Sequence, residues 1–321
     1  MPHNDDAFAT MLLMSQLSAS RDEIVRPLST AEFYSLRDAV GRCGLGSLGS
    51  LIGMDLSAIR RSLGLEESEA YRLCVLLNRV MPLSYALERF TEGGLDIVTV
   101  DEADYPERMR GRLERKAPPM IYSCGDKSLA SGSSMAIVSN TCARPDVLEC
   151  ACELAARACS AGISIVTGGE SGFGRLMERE ALQEGGSVIS FLAESLLERV
   201  YQPGLGEMIA TRRALVMSMI HPEAKYTATH ALERNKCLYA LSNAAFIISC
   251  EKGRGTTWEG ASSALRNGYC ERLYVWDNPD IPGNRELIAR GAIGFHSPHE
   301  LPLSEMKRTW EAPDFEQMSL F

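Results

Sequence analysis

The chain divides by the period of its apolar positions. From Met135 onward, short runs rich in β-branched and aromatic residues alternate with longer stretches of helical spacing. The runs are MAIVS (135–139), ISIVTGG (163–169), SVISFLA (187–193), ALVMSMI (214–220), AFIISC (245–250) and RLYVWD (272–277). Helical stretches between them include Val147 to Ser160, Arg175 to Glu184 and Trp258 to Asn267. Strands that alternate with helices make βαβ units, which predicts an α/β fold with a mostly parallel sheet covered by helices on both faces. Ligands of such sheets bind beyond the C-terminal strand ends, near a switch in strand order.

Residues 1–92 lack these runs and read as a small all-helical domain. Ser29-Thr30-Ala31-Glu32 is an N-cap pattern with Glu32 in the first turn. Gly41, Gly44, Gly46, Gly49, Gly53 and Gly64 punctuate the stretch from Val40 to Leu65, as short helices joined by glycine turns require. Such hairpins either hold a DNA backbone through turn amides or serve as packing modules, and both readings stand. Residues 93–300 form the α/β domain. Residues 301–321 carry Pro313 and show no clear period, so they read as a tail.

Composition narrows the class. Hydrophobic residues are 45% of the 321 and charged residues 23%, ordinary for a soluble globular chain. No apolar run reaches the roughly 18 to 20 residues of a membrane span. The start, MPHNDDAFATMLLMSQ, is acidic rather than basic before its apolar stretch, so a cytoplasmic location is expected. The ten cysteines include one C-x-C, Cys150 and Cys152, and no second close pair with histidines completes a zinc set. Buried, reduced thiols are expected, with no metal and no cofactor. Net charge is −9, the opposite of the basic footprint by which proteins grip nucleic-acid phosphates.

Three segments carry candidate chemistry. Thr167-Gly168-Gly169-Glu170-Ser171-Gly172-Phe173-Gly174 follows a strand and opens a helix. Glycines there let a phosphate approach the backbone at a helix N-terminus, or simply supply the angles of a tight turn. Lys252-Gly253-Arg254-Gly255-Thr256-Thr257-Trp258-Glu259 has the same strand-to-helix context, with hydroxyls at Thr256 and Thr257 that either cap the helix or meet a ligand. Glu233-Arg234-Asn235-Lys236 brings two cations and an amide just before the strand that carries the second glycine turn, or is a solvated helix face. Two glycine turns at parallel strand ends converge on one crevice. The candidate phosphate-binding residues are therefore Ser139, Asn140, Gly168, Gly169, Ser171, Gly172, Gly174, Arg234, Asn235, Lys236, Gly253, Gly255, Thr256 and Thr257.

Asp104-Tyr105-Pro106, Pro118-Pro119-Met120-Ile121-Tyr122 with Gly125, Arg234-Asn235-Lys236, and Pro282-Gly283-Asn284 with Leu287-Ile288 and Gly291-Ala292 follow one another along the chain. By these segments the chain, from about Gly94 to Ala292, resembles the DNA-processing protein A (DprA/Smf) family. The resemblance implies a Rossmann-like fold, binding of single-stranded DNA and assistance in loading the recombinase RecA. Three departures stand out. Ser139-Asn140-Thr141 replaces the family's Gly-Ser-Arg, Glu178 falls where it carries histidine, and too few residues follow Ala292 for a winged-helix module. With the acidic balance, these departures lead us to expect weak, salt-sensitive DNA binding.

The same region is similar to the lysine-decarboxylase-like (LOG) nucleotide phosphoribohydrolases through Gly168-Gly169, Gly172, Arg234 and Gly253-Arg254-Gly255-Thr256 with Glu259. That resemblance implies cleavage of a nucleoside monophosphate at its N-glycosidic bond, with Arg234 and Glu259 as the catalytic pair. A third class is a regulatory partner, such as an accessory of a phage-defence locus or the restraint on a cognate toxin. A homo-oligomer is expected. Finally, Gln317-Met318-Ser319-Leu320-Phe321 resembles the pentapeptide that docks bacterial proteins on the DNA polymerase sliding clamp.

Overall fold

The computed structural model describes residues 3–17, 25–140 and 144–303. The N-terminal part holds α1 (Asp5–Met14), α2 (Thr30–Arg42), α3 (Leu56–Leu63), α4 (Glu67–Leu77) and α5 (Val80–Glu92). Then follow β1 (Asp96–Thr99), α6 (Glu107–Leu113), β2 (Met120–Gly125), β3 (Ser134–Ser139), α7 (Pro145–Ser160), β4 (Ser164–Thr167), α8 (Phe173–Gln183), β5 (Val188–Leu192), α9 (Leu196–Val200), α10 (Leu205–Ala210) and β6 (Ala214–Ser218). The chain continues through α11 (Ala228–Leu241), β7 (Ala244–Ser249), α12 (Gly255–Asn267), β8 (Arg272–Trp276), α13 (Pro282–Ala289) and β9 (Ile293–Phe295). Among the described residues no helix is long and apolar enough to cross a membrane.

The nine strands form one sheet in the order β1-β2-β6-β5-β4-β3-β7-β8-β9. The seven from β6 to β9 in that order are mutually parallel, and β2 and β1 extend the β6 edge antiparallel. The expected mostly parallel sheet is therefore present. Alternation along each strand supplies two cores. Ala136, Val138, Ala245 and Ile247 face α11, α12, α13 and most N-terminal helices. Met135, Ile137, Phe246 and Ile248 face α7 to α10 and α5. Helix α7 shows why it sits there: Pro145 opens its first turn, and Val147, Cys150, Ala151, Leu154, Ala155 and Ala158 form one buried stripe. Helix α1 straddles the sheet edge, with Leu13 in one core and Leu12 in the other, so the N-terminal helices share the sheet's apolar interior.

Two buried side chains fasten the sheet at opposite ends. Arg108 on α6 donates to the Leu241 carbonyl at 2.8 Å, at the end of α11, and to Ser134 Oγ at 3.3 Å. Burial pulls its guanidinium down to about 10, still cationic at neutral pH. At the C-terminal ends, Asn284 donates to the carbonyls of Ile248 and Trp276, each at 2.8 Å, and accepts from Cys250 N at 3.0 Å. A side chain at neighbouring Gly283 would overlap the Cys250 carbonyl. The Pro-Gly-Asn segment thus clamps β7 to β8 where the second glycine turn begins.

The capping box read at Ser29 is present: Ser29 N donates to Glu32 Oε2 at 2.7 Å, and Ser29 Oγ accepts from Glu32 N at 3.3 Å. Arg72 of α4 adds a 2.7 Å ion pair to Glu32 and a 2.8 Å bond to the Pro27 carbonyl. The thiols of Cys150, Cys237, Cys250 and Cys270 are pushed up to about 12 by burial. The cysteines at described positions are free of disulfides.

Two expected outcomes follow. Asn284→Ala removes three buried or part-buried hydrogen bonds, two to carbonyls and one from the Cys250 amide, and destabilises the protein by about 3 kcal/mol. A denaturant titration would show a lower midpoint with an unchanged slope, and a loss below about 0.5 kcal/mol would contradict the clamp. Second, the hydrogen bond from Arg72 lowers the Glu32 carboxyl from 4.5 to about 2. A depressed folded value means the contribution is complete above the unfolded value and is lost as pH falls through the folded one. Between pH 5 and pH 3 the melting temperature of Glu32→Gln should therefore fall less than that of the unsubstituted protein. Equal falls would mean that the pair carries no pH-dependent stability.

Candidate functional site

Strand order reverses at β3. From there the chain builds β4, β5 and β6 outward on one side, then returns to lay β7, β8 and β9 on the other. The turns that leave β3, β4 and β7 at their C-terminal ends meet at this switch point. They enclose a crevice of about 600 Å³ lined by Ser139, Asn140, Gly168, Glu170, Ser171 and Glu194 on one side. Tyr226, Arg234, Asn235, Glu251, Arg254, Gly255, Thr256 and Thr257 close the other. The two glycine turns therefore open onto the same end of the sheet.

Arg234 rises from α11 to the floor of the crevice. Its side chain is 5% exposed. Nη1 donates to the Phe191 carbonyl at 3.1 Å and lies 3.3 Å from Glu170 Oε2. This contact explains Gly168: a side-chain carbon there would overlap the guanidinium. Sequence reasoning gave Gly168 to the approach of a phosphate, and in the fold it is first of all the approach of Arg234. Gly174 is equally constrained, since an added carbon would lie 2.8 Å from Gly169 N. Gly172, Gly253 and Gly255 meet nothing within 4 Å, and their φ values of 90°, 73° and 82° assign them to turn geometry.

Asn235 ties the second turn to α11. Its Nδ2 donates to the Thr256 carbonyl at 2.8 Å, at the start of α12. Asn140 N reaches the Ser249 carbonyl at 3.0 Å, joining the ends of β3 and β7. Ser139 Oγ, Asn140 Oδ1 and Arg234 Nε are buried atoms without a hydrogen-bond partner. Ser139 and Arg234 are each 4% exposed.

The charges around the crevice are already paired. Arg254 stands 3.4 Å from Glu251. Glu194 lies 3.5 Å from both Arg175 and Arg199. Beneath the first turn, Glu178 takes a 2.6 Å bond from Ser190 Oγ and a 2.6 Å bond from Arg199 Nη2. Burial raises its carboxyl above the usual carboxylate range, against the pull of Arg199. Among the described residues no group of three or more His, Cys, Asp or Glu is placed to hold a metal ion.

Two sequence-selected residues fall elsewhere. Lys236 and Glu259 line a separate depression with Lys116, Glu233, Arg266 and Tyr269. Lys236 is two residues beyond Arg234, roughly 200° around the helix, and pairs with Glu233 at 2.6 Å. Glu259 is exposed beside Gly260, the point at which α12 touches Asn235, and a neighbouring residue turns roughly 100° away. The pair Arg234 and Glu259, to which the hydrolase resemblance assigns cleavage, is thus not assembled. Gly169, Gly172, Gly174 and Gly253 shape the turns without lining the crevice. Thr141 and Gln317 to Phe321 lie outside the described residues. Sequence reasoning named Glu170 and Arg254 only as letters of larger strings, and it passed over Glu251, between a strand run and a glycine segment. It missed Glu194 and Tyr226, which sit in loops with no glycine or charge pattern to mark them.

The fold is similar to that of DNA processing protein A from Streptococcus pneumoniae, with a TM-score of 0.64 and 17% identity over 85% of this chain and 96% of that one. It is also similar to DNA processing protein A from Helicobacter pylori, whose structure concerns a single-stranded DNA binding mode. There the TM-score is 0.53 and the identity 20%, over 65% of this chain and 94% of that one. No curated protein matches the sequence. Residues 96–303, which hold every strand of the sheet and the helices between them, match the model of DNA recombination-mediator protein A, and the chain belongs to that family.

Proposed function

We propose that the crevice at the β3/β7 switch point holds a nucleotide unit of single-stranded DNA, and that the protein acts in DNA processing or recombination by binding rather than by catalysis. The observation that carries this is the convergence of two glycine turns on buried, unpartnered polar atoms of Ser139, Asn140 and Arg234. Helices α8 and α12 both begin at the crevice, so their free amides and positive dipole ends favour an anion there. Tyr226, 53% exposed and lining the crevice, offers a face on which a base can stack. Membership of the recombination-mediator family supports the same reading.

The affinity is set against a net charge of −9. That charge opposes the approach of the strand's phosphates, so binding is weak and falls with salt. Fluorescence anisotropy with a labelled oligothymidylate tests this. Arg254→Ala should weaken binding about threefold to tenfold and reduce the slope of log affinity against log salt by about 0.7, the loss of one phosphate contact. Nanomolar binding at physiological salt, or indifference to Arg254, would contradict the reading.

The tail carries a separate proposal, resting on sequence alone: Gln317, Met318, Ser319, Leu320 and Phe321 dock in an apolar groove of the replication clamp. Apolar anchors of this kind carry on the order of 2 kcal/mol or more each. Deleting Leu320 and Phe321 should abolish clamp capture in a pull-down and leave the melting temperature unchanged. A fall in melting temperature, with no capture by the intact protein, would make the tail structural.

A further inference from the structure

The glycine turn after β4 is built to receive an anion, yet it already has one. The Glu170 side chain folds back over its own turn. Its carboxylate overlaps the space a side chain would need at Gly168, and a side-chain carbon at Gly174, in the first turn of α8, would lie 2.9 Å from Glu170 Cδ and Oε2. The same carboxylate stands 3.3 Å from Arg234 Nη1. Arg234 is also held from behind by the Phe191 carbonyl at 3.1 Å. Its Nε remains buried without a partner. Glu170, at 26% side-chain exposure, remains open to the crevice it lines.

We propose that Glu170 is a specificity-determining residue: its carboxylate occupies the phosphate seat formed by Gly168 and Arg234, so that a phosphodiester enters only by displacing it. The inference rests on the reading of the crevice as a nucleotide site. Its physical basis is direct competition. Arg234 is the buried cation of the crevice, and a carboxylate and a phosphate present the same charge-assisted acceptor to it. While Glu170 is paired, an incoming phosphate meets a neutralised seat and a like charge. A ligand's deoxyribose rings and base edges, which carry no charge, are unaffected by that pair. The residue therefore lowers affinity for the phosphate backbone specifically and leaves the rest of the crevice's recognition intact.

The test compares two probes of one sequence, an oligothymidylate with phosphodiester linkages and its uncharged methylphosphonate analogue. With Glu170→Gln the phosphodiester should bind about tenfold tighter, since an unopposed charged hydrogen bond is of that order. Its salt dependence should steepen by about 0.7 of a log unit per log unit, because the seat gains one unit of unopposed positive charge. The methylphosphonate should change by less than about twofold, within the scatter of a single uncharged contact. Glu170→Ala should move both probes in the same directions, which guards against a side effect of the amide. An equal gain on both probes would show a general loosening of the turn and overturn the proposal, as would an unchanged or weaker phosphodiester affinity. If the unsubstituted protein binds the phosphodiester and the variants gain nothing, the inference alone fails. If no form of the protein binds either probe, the nucleotide reading of the crevice fails with it.

Discussion

The site depends on where Arg234 is anchored. Its guanidinium is taken out of water beneath the β4 turn, and such a charge is tolerable only with partners on hand. One partner is the Phe191 carbonyl, on β5, and the other is Glu170, on the turn itself. A cation delivered by α11 is thereby fixed against the ends of two neighbouring strands. Gly168 follows from this placement, because the guanidinium occupies the volume a side chain would take. The adjacent Asn235 then carries the constraint across to the start of α12. The glycine turns and the crevice between them are shaped around one buried charge.

That arrangement needs a rigid frame, and the sheet supplies it. Strands β3 and β7, buried along their whole length, set the two sides of the switch point. Asn284 closes β7 onto β8 just below the second turn, and Arg108 closes the opposite end of the sheet onto α11. Both act through hydrogen bonds to backbone carbonyls, at the strand ends for Asn284 and at the end of α11 for Arg108. The family's Pro-Gly-Asn motif is thus a structural clamp that holds the ligand turn from behind. Glu178 and Arg199 do the same beneath the first turn, as a buried pair linked through Glu194 to the crevice.

Much of this was legible in the sequence because it leaves a periodic or positional trace. Six apolar runs became β3 to β8, each within a residue or two of the read boundaries. Ser29 and Glu32 gave the capping box. Strands β1 and β9 are only four and three residues long, too short to show alternation. Helix α11 escaped for the opposite reason: eight of its fourteen residues are buried, including Arg234 and Asn235, so no clean amphipathic stripe remains. The phase of that helix was also invisible, which is why Arg234 and Lys236 looked equivalent and face different depressions. The seat taken by Glu170 depends on a side chain folding back through space, and no spacing rule reports that.

The acidic balance and the recombination-mediator fold are reconciled if the crevice binds through a few pre-set atoms rather than through a field of cations. On that account the location of the strand is the central claim. A crystal structure of the protein with a short oligothymidylate tests it most directly. The account predicts a nucleotide seated between Gly168 and Thr256, its phosphate within hydrogen-bond distance of Arg234 and the Glu170 carboxylate rotated away. A strand bound instead along the N-terminal helices, with the Arg234–Glu170 pair intact, would contradict it.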